Sequence, residues 1–241
     1  MRIESIVRKL YRVCRSWSHS KRFAVVIAAC AALIRSGRAS VTGIGRGLAT
    51  PALPKHAIKR IDRLIGNPRL CSEQESWYRA IAHKAVGANR TVVVAVDWTE
   101  VNRWCWTLSA TVVGPGRGIV IYQETYSKLH GGEQFFRRFL KGLRRILPHQ
   151  SRPILVADAG FRRTFFRACR ALRLDFVVRM RKPTTAGGPS RRLTYEQLIE
   201  AANSMSQCLG SLRVYSTDCN GQFVRVVLGP QTRRVPRQDE G

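Results

Sequence analysis

Two short apolar runs of this sequence each lead straight into an aspartate. TVVVAVD ends at Asp97, and PILVAD ends at Asp158. Runs of this length and β-branched content are typical of buried strands, so we expect both carboxylates at the same edge of one sheet. Their hard oxygens suit Mg²⁺ or Mn²⁺. The pair therefore predicts a metal site, and two ions about 3.5 to 4 Å apart can activate a hydroxyl to attack a phosphodiester.

The charge of the chain indicates the kind of substrate on which such a site would act. Lys and Arg number 42 and Asp and Glu number 15, which gives a formal net charge of +27. This excess disfavours a compact fold unless a polyanion or counterions offset it, and nucleic acid is the polyanion that we expect. Ribosomal and membrane-surface proteins share this balance, so charge alone predicts a class of partner and no activity.

Residues 1–88 carry helical periodicity and are predicted to form a small all-helical domain. An amphipathic helix is predicted over residues 2–17. The apolar stretch 23–34 is too short to span a bilayer, which takes about 20 residues, so we expect a buried helix and no membrane association. Ser72 with Glu75 has the spacing of a capping box and predicts the start of a further helix.

The segment LPKHAIKRIDRLIGN at 53–67 is predicted to be an amphipathic helix. Its isoleucines fall on one face, and its cations are spaced three or four residues apart on another. We expect these cations to contact DNA phosphates, and the alternative is an ordinary solvated helix face. The candidate residues are Lys55, Lys59, Arg60 and Arg63.

The periodicity changes from helical to extended near residue 88, where we predict a domain boundary. Three strands, a helix, a strand, a helix and a strand then follow over 89–183. This order predicts an α/β fold, a ribonuclease H-like mixed sheet with flanking helices. In that topology the strands leading into Asp97 and Asp158 are neighbours. Farther on, Asn220 and Gly221 predict a two-residue hairpin turn between two strands.

Four motifs occur together in this chain: KRIDRLIGN at 59–67, AVDWT at 95–99, ADAGFRR at 157–163 and FVVRMRK at 176–182. In this order they resemble the DDE transposases of bacterial insertion sequences, whose ribonuclease H-like catalytic domain is interrupted by a β-rich insertion. The resemblance implies that Asp97 and Asp158 are catalytic, metal-binding acids, and that a complete member uses two Mg²⁺ or Mn²⁺ ions. Residues 1–88 would be the DNA-binding domain, and Arg162 and Arg163 are added as DNA-contact candidates.

The resemblance also implies an activity, partners and a location. Such an enzyme cuts element ends with water and joins the freed 3′-hydroxyls to target DNA. Its partner is double-stranded DNA, on which it acts as a homodimer, and its place is the bacterial cytoplasm, at the nucleoid.

Two positions depart from the family pattern. Ala159 stands where relatives often carry Arg, and the third acid, a Glu within a Tyr, Arg, Glu, Lys signature, has no counterpart, because Glu196, Glu200 and Glu240 do not match that signature. We therefore expect residues 184–241 to be the start of an incomplete insertion and the chain to be a truncated, weakly active or inactive transposase. The alternatives are a non-catalytic DNA-binding fragment that inhibits transposition and a structural RNA-binding protein.

Overall fold

The computed structural model of this protein describes residues 18–114, 116–127, 133–187, 192–201, 207–216 and 219–228. The helices are α1 (Ser20–Ser36), α2 (Val41–Arg46), α3 (Pro54–Ile65), α4 (Pro68–Val86), α5 (Glu133–Ile146), α6 (Arg163–Ala171) and α7 (Tyr195–Glu200). The strands are β1 (Thr91–Asn102), β2 (Cys105–Val112), β3 (Ile119–Ser127), β4 (Arg152–Ala157), β5 (Asp175–Val178), β6 (Thr185–Gly187), β7 (Arg192–Thr194), β8 (Gln207–Ser216) and β9 (Cys219–Leu228).

The chain divides into two compact units. We call Met1–Asn89 with Gly142–Ser151 the helical unit, and Arg90–Lys141 with Arg152–Gly241 the sheet unit. Within the described ranges, no helix combines the length and the apolar character needed to cross a membrane. The amphipathic helix predicted over 2–17 lies outside the described residues.

The core of the helical unit is built from small and branched residues of α1, α2 and α3. The buried members are Ala32, Leu48, Ala57 and Ile61. Gly45 makes the approach of α2 to α3 close, because a Cβ atom there would lie 2.6 Å from the Ile58 Cα atom. Only glycine lets these two backbones meet at this distance without a shift.

Helix α4 begins one turn earlier than the sequence predicts. Asn67 caps it by accepting the Arg69 amide at 3.0 Å, and Pro68 occupies the first helical position. Both residues favour a helix start, because the amide side chain satisfies a free N–H and proline has none to satisfy. Ser72 lies inside the helix and donates to the Arg69 carbonyl, so the predicted capping box with Glu75 was wrong.

A buried ion pair joins α4 to α1 inside the helical unit. Glu73 is only 8% exposed, and its carboxylate accepts hydrogen bonds from the Arg22 guanidinium and, at 3.1 Å, from the Ser18 hydroxyl. The hydrogen bond from Arg22 holds the pKa of Glu73 below its ordinary value, although burial acts in the opposite direction. The pair therefore stabilises the folded unit as long as Glu73 is ionised.

Acid should weaken this unit through Glu73. Because folding lowers the pKa of Glu73, its contribution to stability is complete above the ordinary pKa of about 4.5 and is lost as the pH falls below it. We expect Glu73→Gln to lower the melting temperature by several degrees near pH 6, since it leaves the Arg22 charge without its partner. Circular dichroism melts should show the gap between variant and wild type shrinking near pH 3.5.

Glu75→Gln is the matched control on the same helix. Glu75 pairs with Arg79 at 2.7 Å and with Arg145 at 3.6 Å, but all three side chains are more than two-fifths exposed, and exposed pairs contribute little. A Glu73→Gln gap that is equal at both pH values would show that the carboxylate charge does not carry the effect.

The main sheet of the sheet unit has the strand order β3-β2-β1-β4-β5. Strands β1, β2 and β3 are antiparallel neighbours, whereas β4 runs parallel to β1 and β5 runs parallel to β4. The parallel β1–β4 pair needs a long connection, and β2, β3 and α5 lie within it. This topology confirms the predicted ribonuclease H-like mixed sheet with flanking helices.

One face of the main sheet is buried under aromatic side chains. Val94, Val96, Leu108 and Leu155 are at most 2% exposed on this face. Phe165 of α6 is fully buried, with ring centroids 4.8 Å from Phe161, 5.4 Å from Phe136 and 6.4 Å from Phe176. This cluster fixes α6, and with it the loop after Asp158, against the sheet.

A second sheet of four strands has the order β7-β6-β8-β9. The predicted hairpin is present as β8 and β9, but its turn was misplaced. Asn220 and Gly221 lie within β9, and the last pair before the connection is Ser216 with Cys219. Residues 217 and 218, between the two strands, lie outside the described part of the chain. Asn220 and Gly221 lie between two paired positions of β9, since Cys219 pairs with Ser216 and Gln222 pairs with Val214.

Candidate metal and nucleic-acid site

The β1–β4 register brings Asp97 and Asp158 to adjacent positions. The parallel ladder ends with Val96 beside Ala157, and each aspartate is the next residue of its chain. Neighbouring strands lie about 4.8 Å apart, so the two residues leave the ladder side by side. Contrary to the prediction, β1 does not end at Asp97, because it stays paired with β2 as far as Asn102 and Asp97 lies opposite Ser109.

Both carboxylates belong to the accessible face of the main sheet. Side chains alternate along a strand, so Asp97 shares a face with Val93 and Asp158 shares one with Val156. Val93 is 40% exposed, and Val177, on the same face of β5, is 60% exposed. Asp97 and Asp158 are themselves exposed. A solvated ligand can therefore reach them.

The backbone around the pair orients one carboxylate directly. Asp158 Oδ1 accepts the Gly160 amide at 2.8 Å, which closes a tight turn after β4. A Cβ atom on Gly160 would lie 3.0 Å from that oxygen. Neither Asp97 nor Asp158 forms an ion pair with any described residue, so two negative charges stand together. A bound cation would relieve their repulsion.

The remaining acids of β1 and β3 lie on the opposite face of the main sheet. Trp98 pairs with Leu108, which pairs with Glu124, so Glu124 and Glu100 face away from Asp97. The Glu124 carboxylate accepts the hydroxyls of Tyr122 at 2.5 Å and Tyr126 at 2.6 Å. Burial and this hydrogen bond raise the pKa of Tyr126. Glu124 is thus part of the packing.

Other acids of the sheet unit are also distant or paired. Asp175 shares the accessible face but lies four residues before Arg179, about 13 Å along β5, and it pairs with Arg152 at 2.7 Å. Glu196 pairs with Lys182 at 2.6 Å, which lowers its pKa. Glu200 is exposed on α7, and Glu240 lies outside the described residues. Where the chain is described, no three His, Cys, Asp or Glu side chains cluster as metal ligands.

Cations surround the Asp158 end of the sheet. Arg162 is half-buried at the start of α6 and lines a small cavity of about 30 Å³ with Arg179 and Arg181. Arg163 is also half-buried, and its Nε atom has no hydrogen-bond partner among the described residues. Arg179 was not among the residues predicted from the sequence. Its signal is the register, because Ala157 pairs with Val178 and Arg179 then stands beside Asp158.

The predicted cations of α3 fall into two groups. Lys59, Arg60 and Arg63 line a cleft of about 780 Å³ in the helical unit, and Lys55, although exposed, is not part of its lining. The cleft also contains Lys21 and Arg22 of α1, which directly precede the predicted apolar stretch 23–34 and were not among the predicted DNA contacts. Their closeness to α3 depends on helix packing, which the sequence does not display.

No protein-family model matches this chain, and no curated protein matches it in sequence. Three solved structures show distant similarity. Human endonuclease V (ENDOV) is 13% identical with a TM-score of 0.32, over 67% of this chain and 82% of that chain. The catalytic domain of human endonuclease V is 12% identical with a TM-score of 0.31, over 68% of this chain and 82% of that chain. A Ppx/GppA family member from Aquifex aeolicus is 12% identical with a TM-score of 0.22, over 58% of this chain and 52% of that chain.

At these identities and TM-scores the similarities carry no argument about activity. Two of the three structures are of endonuclease V, and that name describes those proteins and not this chain. None of the three is a transposase, so membership of that family stays a prediction from the motifs.

Proposed function

We propose that this protein binds double-stranded DNA and holds a divalent cation between Asp97 and Asp158, at which a phosphodiester bond is cut. The observation that supports this most directly is the β1–β4 register, which sets two carboxylates without ionic partners among the described residues side by side on an accessible face. Their oxygen donors fit Mg²⁺ or Mn²⁺. When bound, such an ion polarises the phosphate and lowers the pKa of a water ligand.

The residues of the chain supply the remaining functions in this proposal. Asp97 and Asp158 hold the cation, and the Gly160 amide fixes the orientation of the Asp158 carboxylate. Arg179 stands beside Asp158 in the β4–β5 register, and Arg162 and Arg163 follow Asp158 in the chain. These three cations would neutralise the phosphates of the strand that is cut. With two carboxylates in place of three, the position of the ion is less constrained, and a misplacement of about 1 Å can cost 100-fold in rate.

The finer form of the proposal is an insertion-sequence transposase. It rests on the motif resemblance, and it includes a helical DNA-binding domain at 1–88, a ribonuclease H-like core at 89–183, and the start of a β-rich insertion at 184–241. Element ends and target DNA would be the substrates, a homodimer the active form, and the bacterial nucleoid the place of action. Lys55, Lys59, Arg60 and Arg63 would contact DNA.

A second candidate function is a DNA-binding protein without catalysis, which inhibits transposition by occupying element ends. The observation that favours it is the lack of a third metal-binding side chain beside Asp97 and Asp158 in the described part of the chain. Both candidates use the cations of the helical unit, but only the first uses the aspartates.

A nicking assay separates the two candidates. The full chain is incubated with supercoiled plasmid in Mn²⁺, in Mg²⁺ or in EDTA, and relaxed and linear products are resolved on a gel. We expect slow nicking in Mn²⁺ and none in EDTA. Plasmid binding without any nicking would contradict the first candidate and favour the second. Nicking that persists in EDTA would contradict the metal site.

A further inference from the structure

The helical unit contains a concave surface with an unusual concentration of positive charge. The cleft between α1 and α3 is lined by five cations, which are Lys21, Arg22, Lys59, Arg60 and Arg63. Of these, only Arg22 forms an ion pair with a described residue, its partner being the buried Glu73. Four positive charges thus have no ionic partner within the described part of the helical unit, and they share one cleft of about 780 Å³.

The α3 wall of this cleft is a regular row. His56 and Lys59 are three residues apart, as are Arg60 and Arg63, and the two pairs adjoin, so all four residues lie on one side of α3 and line the cleft. Like charges at this spacing destabilise an isolated helix, and folding alone gives no reason to gather them. The row spans about 10 Å of helix axis, at about 1.5 Å per residue. A row of this length can contact a few successive phosphates of one strand.

The α1 wall makes the surface a cleft with two sides. Lys21 and Arg22 lie there, and Glu73 accepts from Arg22 Nε at 3.0 Å, which holds this side chain in place. Of the apolar lining residues, Val25 and Leu64 are only partly exposed and Ala52 carries a single methyl group, so the cleft lacks a large exposed apolar side chain that could anchor it in a membrane. Its concave shape fits a narrow anionic chain better than a flat lipid surface.

We infer that this cleft binds the sugar–phosphate backbone of one nucleic-acid strand, with Lys21 on one side and Lys59, Arg60 and Arg63 on the other. This inference rests on the proposed function and makes it more specific, since it assigns the contact to phosphates and to a second helix. A cleft of about 780 Å³ is too small for a whole duplex but can take part of one backbone. Binding through phosphates carries no base specificity.

The test compares two variants of the full chain that lose the same number of charges. The cleft variant carries Lys21→Gln, Lys59→Gln, Arg60→Gln and Arg63→Gln. The control carries Arg38→Gln, Arg46→Gln, Arg69→Gln and Lys84→Gln, all exposed residues of the helical unit that do not line the cleft. Fluorescence anisotropy measures binding to a 30-base-pair duplex of arbitrary sequence in EDTA over a series of salt concentrations, and circular dichroism checks that each variant is folded.

We expect the cleft variant to lose about 100-fold in affinity at low salt and its salt dependence to flatten by about 3 in log–log slope, near 0.9 for each phosphate contact. The control should change by less than about 3-fold. Equal losses in the two variants would overturn the inference, because they would show diffuse attraction by the whole charge. The inference would also be overturned if the cleft variant lost affinity only for phosphatidylglycerol vesicles or for polyglutamate and kept its affinity for duplex DNA.

Lysine footprinting on the wild-type chain provides an independent readout that requires no variant. Acetylation followed by mass spectrometry should show that duplex DNA protects Lys21 and Lys59 and leaves Lys84 reactive. If Lys21 stays reactive when Lys59 is protected, DNA contacts only the α3 side of the cleft, and the two-sided site is overturned. Because these measurements are made in EDTA, a failure of the nicking assay leaves their outcome unaffected, and the reverse also holds.

Discussion

Replacing Asp97 and Asp158 together by asparagine should abolish metal-dependent nicking and lower the affinity for Mn²⁺ at least about 100-fold. Asparagine keeps the size of each side chain but removes both negative charges that attract the ion. Residues that only support metal ligands cost about 10- to 100-fold when changed, so the ligands themselves should cost more. Titration of Mn²⁺ followed by electron paramagnetic resonance measures the affinity directly.

Asp175→Asn is the matched control for this double variant. Asp175 lies on the same face of the main sheet but pairs with Arg152 and stands about 13 Å along β5 from the site. Its variant should bind Mn²⁺ as the wild type does. The double variant should bind DNA as well as the wild type or better, since two repelling charges are gone. Unchanged Mn²⁺ affinity in the double variant would remove the aspartates from the site.

Phe165→Ala should lower the free energy of unfolding of the sheet unit by about 4 kcal/mol, because it leaves a large cavity in a close-packed cluster. The Phe165 ring is fully buried and lies against Phe136, Phe161 and Phe176. Urea unfolding followed by tryptophan fluorescence gives the change as a shift of the midpoint at constant slope.

Phe166→Ala provides the comparison one residue along the same helix. The Phe166 ring stacks on Phe176 at 5.3 Å, but the residue is only partly buried. Less apolar surface leaves water on unfolding, so the loss should be about half as large. Equal losses of unfolding free energy in the two variants would show that the contribution of Phe165 to stability does not come from its burial in the cluster.

The sheet could be predicted because its strands carry strong local signals. The run before Asp97 and the run before Asp158 are short, apolar and β-branched, and the order of strands and helices leaves few topologies. What could not be predicted is where each pairing stops. β1 runs on past Asp97 because β2 still pairs with it, a tertiary fact that no local pattern contains.

The helical unit shows the same division between local and tertiary information. The face of α3 that carries Lys59 and Arg63 is periodic in the sequence and was found there. The opposing contribution of Lys21 depends on how α1 packs against α3, where Ala32 of α1 shares a buried core with Ala57 and Ile61 of α3. The misplaced start of α4 has a local cause, because Asn67 and Pro68 both end one helix and begin the next.

The parallel pairing of β1 with β4 also has a consequence for how the protein matures. The whole of β2, β3 and α5 must be synthesised before β4 can dock, and contacts between distant parts of a chain form slowly. An emerging polypeptide therefore lacks the proposed cation site until β4 has paired with β1. An ion bound there at about 100 times its dissociation constant would add about 2.7 kcal/mol to the stability of the finished fold, and so stabilise the β1–β4 pairing.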